Sequence, residues 1–540
     1  MRMAIEDPCV GVELIQQLYR SWKVYAEKLT SEQLGLLHVP TEIDENVASA
    51  LRSGMDVVLT GNPGDGKTHL MMLVREKHAD LGQVEWIRDA TAVEADGSTT
   101  TAEETIYRQW VERRSKGIVT CLAINQGVLR EMLRVAPKEP FTDEVERQLR
   151  EQLYYLPGVE PTPAAQNVLV LDLDRRSPLK PEFVRAVLSN LIDEKFYPEC
   201  TTCPHRVACS VPRNRQLLAS EQVQERIAGV LNTVGQSGLH ATVRDVQGML
   251  AFAITGGKGC ADLMRTTHVY GTRFYDLLYE GEGLLFDAVR STFDPGRISD
   301  PLVDDALWTG TYGGDGWDEA SDHAAPPNSA RDDREALRRF ISLKRAFYFN
   351  QIEGARLESF LPSADRDYYE LLETAEMRKG ESARRIIRLI NGFFSRSPTD
   401  RELRIWGRHH FDVPPSRVYF STKSLRAKGI IVALPRLAGW QQLAGGYQVD
   451  HMLVHAVEDD RVIGRLRIDR DVYRGLVDAS EGQPFALRRP ELTKALETFL
   501  AQLGANLPGE DDVVEVAVES FKSGRSYQFE VYTLDRRYGA

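Results

Sequence analysis

A chain of 540 residues with 42% hydrophobic and 27% charged side chains has the composition of a globular protein of about three domains. Its net charge of −12 argues against a generic nucleic-acid binder that uses its whole surface, though it allows a local basic groove. Six cysteines are too few and too unevenly spaced for a disulfide scaffold, and no apolar run approaches the roughly 18 residues of a membrane span. The segment Met1–Asp7 carries acids where a signal peptide would be apolar, which predicts a cytoplasmic protein with no membrane partner.

From Val10 to Lys28 the apolar residues fall on one helical stripe, with Val12, Leu14, Ile15, Leu18, Tyr19 and Trp22 in register. A lead-in, Leu37–Asp44, precedes a helix from Glu45 to Arg52 that ends in Gly54. Next comes the apolar run Val57-Val58-Leu59, then Gly61-Asn62-Pro63-Gly64-Asp65-Gly66-Lys67-Thr68, then the helix-like His69–Val74. The eight residues fit G-x-x-x-x-G-K-[ST] in its strict form, in the strand–loop–helix setting the pattern requires. Glycines there let backbone N–H groups close around polyphosphate oxygens, and the following helix adds its positive end. Lys67 would reach the β/γ-phosphates and the Thr68 hydroxyl would ligate Mg²⁺, so ATP and Mg are the expected cofactors.

Three more strands are predicted, at Val84–Asp89, Ile118–Asn125 and Val168–Asp174, with helices near Thr101–Arg113, Gln126–Arg134 and Thr142–Tyr155. Near-continuous apolar strands alternating with helices mean a parallel α/β sheet covered on both faces. After the helix Lys180–Asp193 stand Cys200, Cys203 and Cys209, three of the six cysteines within ten positions. A C-x₂-C pair on a tight turn is the usual zinc half-site. Cys209 supplies a third ligand, and His205 or Cys260 the fourth. An iron–sulfur cluster and an empty, reduced cysteine cluster are the alternatives, while Cys9 and Cys121 read as isolated thiols. The stretch Gly238–Leu250 reads as a helix capped by Thr242, with Arg244 in its first turn.

The second half carries less chemistry. Residues 309–333 read as a long exposed loop, and the helix that follows places Leu337, Phe340, Ile341, Lys344 and Phe347 in a helical middle domain. Arg378–His410 is locally basic, with Phe393, Phe394 and Trp406 among its arginines. Such a stretch would track and stack on nucleic acid, or else bury Ile386, Ile387, Leu389 and Ile390 and leave its arginines solvated or paired. From about Val418, strands at Gly429–Leu434, His451–Val457 and Arg461–Ile468, the amphipathic helix Glu491–Leu503, and a hairpin of Val513–Glu519 with Ser526–Tyr532 indicate a small α+β domain suited to contacting partners.

The lead-in, the glycine loop and the capped helix together resemble AAA+ ATPases. That resemblance implies an α/β P-loop (AAA+-like) core with a helical lid, followed by the helical middle domain and the small α+β C-terminal domain. The boundaries would be 1–36 for an N-terminal helical segment, 37–198 for the core, 199–260 for the Cys-rich insertion and lid, 261–415 for the middle domain and 416–540 for the last. Arg244 would then be the sensor-2 arginine beside the γ-phosphate, and Arg147 or Arg150 the finger offered to a neighbouring subunit of a homo-oligomer. Two schemes compete for the Walker B acid. Asp172 ends a four-residue apolar run, with Asp174 or a neighbour polarising water. In the other, which is slightly favoured, Asp89 is the acid, Asn125 is the sensor that positions water, and Val168–Asp174 is the last core strand.

A closer resemblance joins this core to Cys200-x₂-Cys203…Cys209 followed by Pro212 and Asn214, and to Thr242–Asp245, Phe274–Tyr279, Phe293-Asp294-Pro295 and Leu343–Phe349. These segments, across roughly residues 35–410, are similar to ATPase components of bacterial phage-defence operons, nearest to DNA phosphorothioation-dependent restriction systems. The resemblance implies ATP-driven action on, or signalling about, foreign DNA alongside partner subunits. The alternative is a nucleotide-gated scaffold in which ATP occupancy controls assembly with an effector.

Overall fold

The computed structural model describes residues 9–20, 30–87, 101–156, 159–207, 209–263, 272–308, 333–350, 361–395, 398–408, 416–483, 487–508, 513–520 and 526–532. Asp89, the continuation of the first helix to Lys28, the loop 309–332, Arg396, His410 and the turn Lys522–Arg525 lie outside the described residues.

Helices α1 (Val10–Arg20), α2 (Ser31–Leu37) and α3 (Glu42–Arg52) lead into β1 (Asp56–Thr60), and α4 (Lys67–Lys77) follows the glycine loop. Then come β2 (Val84–Ile87), α5 (Ala102–Ser115), β3 (Val119–Ala123), α6 (Gln126–Val135), α7 (Pro140–Arg150), a two-residue β4 (Leu153–Tyr154) and β5 (Val168–Asp172). The expected helix to Tyr155 therefore stops at Arg150. Strands β2, β3, β1 and β5 form one parallel sheet in that order, with Val58 opposite Leu122 on one side and Val170 on the other.

Alternation of side chains along each strand builds two separate cores. Val57, Leu59, Cys121, Ala123, Leu169 and Leu171 pack with α3 and α4 on one face. Val58, Ile87, Leu122, Ile124, Val168 and Val170 pack with α5, α6 and α7 on the other. Ala438, Trp440 and Ala444 complete the first face, so a segment assigned by sequence to the last domain covers the sheet.

Among the described residues, the outer edge of β5 is closed by two glutamine side chains rather than by a strand. Gln148 accepts from Val170 N and donates to Val168 O, at 2.8 and 2.9 Å. Gln441 accepts from Asp172 N at 3.0 Å and donates to Asp172 O at 2.7 Å. Both glutamines are fully buried. Each primary amide presents an N–H donor and a carbonyl acceptor side by side, as the backbone of a neighbouring strand would, and so blocks edge pairing.

The helical part continues with α8 (Pro181–Leu191), α9 (Ser210–Leu218), α10 (Glu221–Gln236), α11 (Val243–Thr255), the short α12 (Cys260–Leu263), α13 (Phe274–Glu280), α14 (Leu284–Thr292), α15 (Pro301–Trp308) and α16 (Asp333–Asn350). After these come α17 (Ser363–Thr374) and α18 (Lys379–Phe394). One large core joins α1 and α8 to these helices and to the C-terminal sheets. Inside it, Arg345 bonds both Asp276 (3.2 Å) and Asp294 (2.8 Å), all three buried.

The C-terminal part holds two antiparallel sheets. One pairs β6 (Glu402–Arg408), β7 (Ser416–Arg426), β12 (Val513–Ser520) and β13 (Ser526–Tyr532); the other pairs β8 (Ile430–Ala433), β10 (His451–Glu458) and β11 (Arg461–Asp469). Short β9 (Arg436–Leu437) pairs with β4, and the helices α19 (Gly439–Gln442), α20 (Arg470–Ser480) and α21 (Pro490–Asn506) fill the gaps. No helix among the described residues is long and apolar enough to cross a membrane.

Candidate functional site

The loop Gly61–Thr68 emerges from the C-terminal end of β1, in the middle of the parallel sheet, and runs into α4. Gly61, Gly64 and Gly66 have φ of +138°, +100° and +89°, a region open to glycine and costly for other residues. Lys67 is buried, and its Nζ donates to the Asn62 and Gly61 carbonyls at 2.7 and 3.2 Å. The ammonium therefore stands inside the loop. Thr68 is the second residue of α4, half-buried beside it.

Helix α11 begins against this loop. Thr242 caps it, accepting from Asp245 N, as the sequence predicts. The Arg244 backbone N–H donates to Gly64 O at 3.4 Å. A Cβ on Gly64 would stand 3.0 Å from Thr242 Oγ1, so no larger residue fits there without moving the cap. The sequence places Arg244 on this helix, and the structure brings its main chain onto the loop.

Between the loop and the start of α11 lies a charged cluster that the motif did not reveal. His240 Nε2 is 3.5 Å from Asp65 Oδ1 and 3.2 Å from Asp174 Oδ1, and Asn62 Nδ2 donates to Asp174. These three ligand atoms lie within 4.8 Å of one another. The Asp65 hydrogen bond, then the two carboxylate charges, hold the His240 pKa above its ordinary value against the opposing effect of burial. When protonated, His240 offsets two carboxylates that would otherwise repel an anion at the loop.

The two candidate acids fare differently. Asp172 is fully buried at the end of β5, opposite Thr60, and its carboxylate accepts from Gln126 Nε2 (3.0 Å), Gln152 Nε2 (3.1 Å) and Asp174 N (3.1 Å). Burial raises its pKa. Asp174, two residues on, is the acid of that run that faces the loop. Asp89 would follow the end of β2, beyond the described residues, while Asn125 stands at the N-cap position of α6, two residues past β3, the strand next to β1, without a side-chain cap bond. Gln126 N donates to Gly61 O at 3.2 Å, which ties this corner to the loop.

Of the two arginines expected to serve a neighbouring subunit, Arg147 is engaged at home. It pairs with Glu144 (2.7 Å) and Glu151 (3.0 Å), donates to the carbonyls of Thr162 and Pro163, and lies over the Trp440 ring. Arg150 keeps a mostly exposed side chain. On the lead-in, His38 stacks on His69 at 5.5 Å and bonds Asp44 at 2.8 Å, and burial lowers the His69 pKa to about 4.

Among the described residues of the basic stretch Arg378–His410, the aromatics form no exposed stacking platform. Phe393, Phe394 and Trp406 are buried, with Phe394 packed on Trp406 and Tyr419, and Arg385 and Arg404 pair with Asp367 and Glu402. Ile386, Ile387, Leu389 and Ile390 supply the core instead.

Cys200, Cys209 and Cys260 are half-buried, and Cys9, read from sequence as isolated, has its sulfur 3.7 Å from that of Cys200. Cys203 is also half-buried, on the turn beside them, and Cys121 is buried in β3. No family model, curated protein or solved structure matches the chain.

Proposed function

We propose that the chain binds MgATP at Gly61–Thr68 and hydrolyses it as an AAA+-type ATPase. The observation that carries this reading is the seating of the capped α11 N-terminus on a glycine loop that itself opens α4. Two helix N-termini, an ammonium already inside the loop, and glycines that free backbone N–H groups are the donor set a triphosphate needs. Lys67 would hold the β/γ-phosphates, and Thr68 with one acid would hold Mg²⁺.

Asp89 is favoured over Asp172 as that acid. Asp172 already accepts from two glutamine amides and a backbone N–H, and its burial disfavours the charged form a metal requires. On that scheme Asn125 positions the attacking water, Asp174 stays with the lid, and Arg244 reports nucleotide state through α11. A finger from a neighbouring subunit would be Arg150 rather than Arg147.

The resemblance to phage-defence ATPases adds homo-oligomerisation, DNA as activator and partner subunits. Steady-state ATP turnover with and without duplex DNA tests the reading, with Lys67→Ala as control. Turnover that duplex DNA stimulates and Lys67→Ala abolishes supports it. Tight ATP binding with no turnover in any condition would replace it by the nucleotide-gated scaffold.

A further inference from the structure

Asp65, Asp174 and His240 offer a chemistry that the nucleotide reading does not use. They come from three segments: the glycine loop, the 3-10 turn Leu173–Arg175 that follows β5, and the residues leading into α11. Among the described residues they are the one group of histidine, cysteine and acidic side chains in which three ligand atoms all lie within 4.8 Å of one another.

A glycine permits this approach. A Cβ on Gly61 would stand 2.6 Å from Asp65 Oδ2 and 3.0 Å from Asp174 N, so the two acids meet across a residue with no side chain. Asn62 N donates to Asp65 Oδ2 at 2.6 Å and leaves Oδ1 facing the other two residues. There Oδ1 meets His240 Nε2 at 3.5 Å, longer than the roughly 2.7–3.2 Å of a good N–H···O bond. The Asp65 side chain is only 2% exposed, so a buried carboxylate oxygen, poorly served by its one neighbour, points into the group.

The charges also fall short of balance. A single Nε2 proton serves one carboxylate at a time, and one imidazolium leaves two carboxylates with a negative charge in excess. A divalent cation in the same place closes that difference.

We propose that Asp65, Asp174 and His240 bind one divalent transition-metal ion, which ties the loop to the end of β5 and to the start of α11. With bonds of about 2.0–2.2 Å, neighbouring ligand atoms stand about 3.0 Å apart at right angles and about 3.4 Å apart in a tetrahedron. His240 Nε2 is 3.2 Å from Asp174 Oδ1 and 3.5 Å from Asp65 Oδ1, close to such edges. One imidazole nitrogen with two carboxylate oxygens suits manganese, iron or zinc better than magnesium or calcium, which favour oxygen ligands. His240 ligates as the neutral imidazole, so any proton it carries in the metal-free chain goes to solvent. Asn62 orients both carboxylates, its N–H on Asp65 and its Nδ2 on Asp174. The Asp174 and His240 side chains are partly exposed, which leaves water to fill the remaining positions. The site uses neither Thr68 nor Asp89, and it does not rest on the nucleotide reading.

Manganese alone, titrated into the chelator-treated, nucleotide-free full chain and followed by electron paramagnetic resonance, tests the site. Manganese is the probe because thiolates elsewhere in the chain select softer ions. One Mn²⁺ per chain is expected, with modulation from an imidazole nitrogen in the spin-echo spectrum. His240→Gln should weaken binding by about tenfold or more and abolish the nitrogen signal, while His205→Gln should change neither. Because His240→Gln can also disturb the seat of α11, the nitrogen signal of the unaltered protein is the second readout. No saturable binding by the folded, unaltered chain, binding without nitrogen coupling, or equal affinity in His240→Gln would each overturn the proposal. Calorimetry with MgATP on the same preparation reads the loop separately. MgATP binding without Mn²⁺ binding would remove this site and keep the nucleotide reading, and Mn²⁺ binding without MgATP binding would do the reverse.

Discussion

Gln441→Leu is the most informative single change outside the loop. The substitution keeps the side-chain volume close to that of glutamine and removes both bonds to the Asp172 main chain. Neither Asp172 N nor Asp172 O has a strand on that side to turn to, and Gln441 is fully buried. An unsatisfied buried donor or acceptor costs about 1–3 kcal/mol. Two of them, with some local rearrangement, should cost about 2–4 kcal/mol in the opening of β5. Native-state hydrogen exchange at the Asp172 amide reads that opening locally, which suits a multidomain chain. At about 1.4 kcal/mol per tenfold, protection should fall by roughly 30- to 700-fold. Gln442→Leu, next door but exposed, should stay within about 0.5 kcal/mol of the unaltered protein. If Gln441→Leu leaves Asp172 protection and the urea midpoint unchanged, the glutamine does not serve as the missing strand.

Other consequences follow from the same contacts. His240 is held above its ordinary pKa by Asp65 and Asp174, so its ion pairs contribute fully below about pH 6.5 and are lost as pH rises through the raised value. The difference in melting temperature between the unaltered protein and His240→Asn should therefore be largest at acid pH and shrink on the alkaline side; a difference that grows with pH would contradict the ion-pair assignment. Arg345→Met would remove the buried cation that Asp276 and Asp294 share, and should cost about 3–5 kcal/mol in urea unfolding. A cost under about 1 kcal/mol would mean those carboxylates are satisfied elsewhere.

Local rules account for much of what the sequence made visible. The loop Gly61–Thr68, the apolar strands beside it, the Thr242 cap and the C-terminal hairpin are set by residues close in the chain, where turn chemistry, capping and period-two alternation operate. The parts that stayed hidden depend on contacts across long stretches of sequence. Nothing near Cys9 marks it as a neighbour of Cys200, 191 residues away. Gln148 and Gln441 read as ordinary polar residues until they meet the edge of β5. Asp172 looks like a metal-holding acid because it ends an apolar run, and only the tertiary fold shows its carboxylate occupied by Gln126 and Gln152. The aromatics at 393, 394 and 406 read as a stacking surface or, more readily, as a core, because composition does not record which side of a helix or strand faces inward.

The central claim is that the Gly61–Thr68 loop holds a nucleoside triphosphate. Titration calorimetry of MgATP into the full chain, beside Lys67→Ala, measures it most directly. One equivalent of saturable binding is expected, and removal of the ammonium should weaken it by about 10- to 150-fold, the worth of a charged hydrogen bond of roughly 1.5–3 kcal/mol, with the melting temperature of the free protein little changed. Absence of binding by the unaltered, folded chain, or equal affinity in Lys67→Ala, would contradict it.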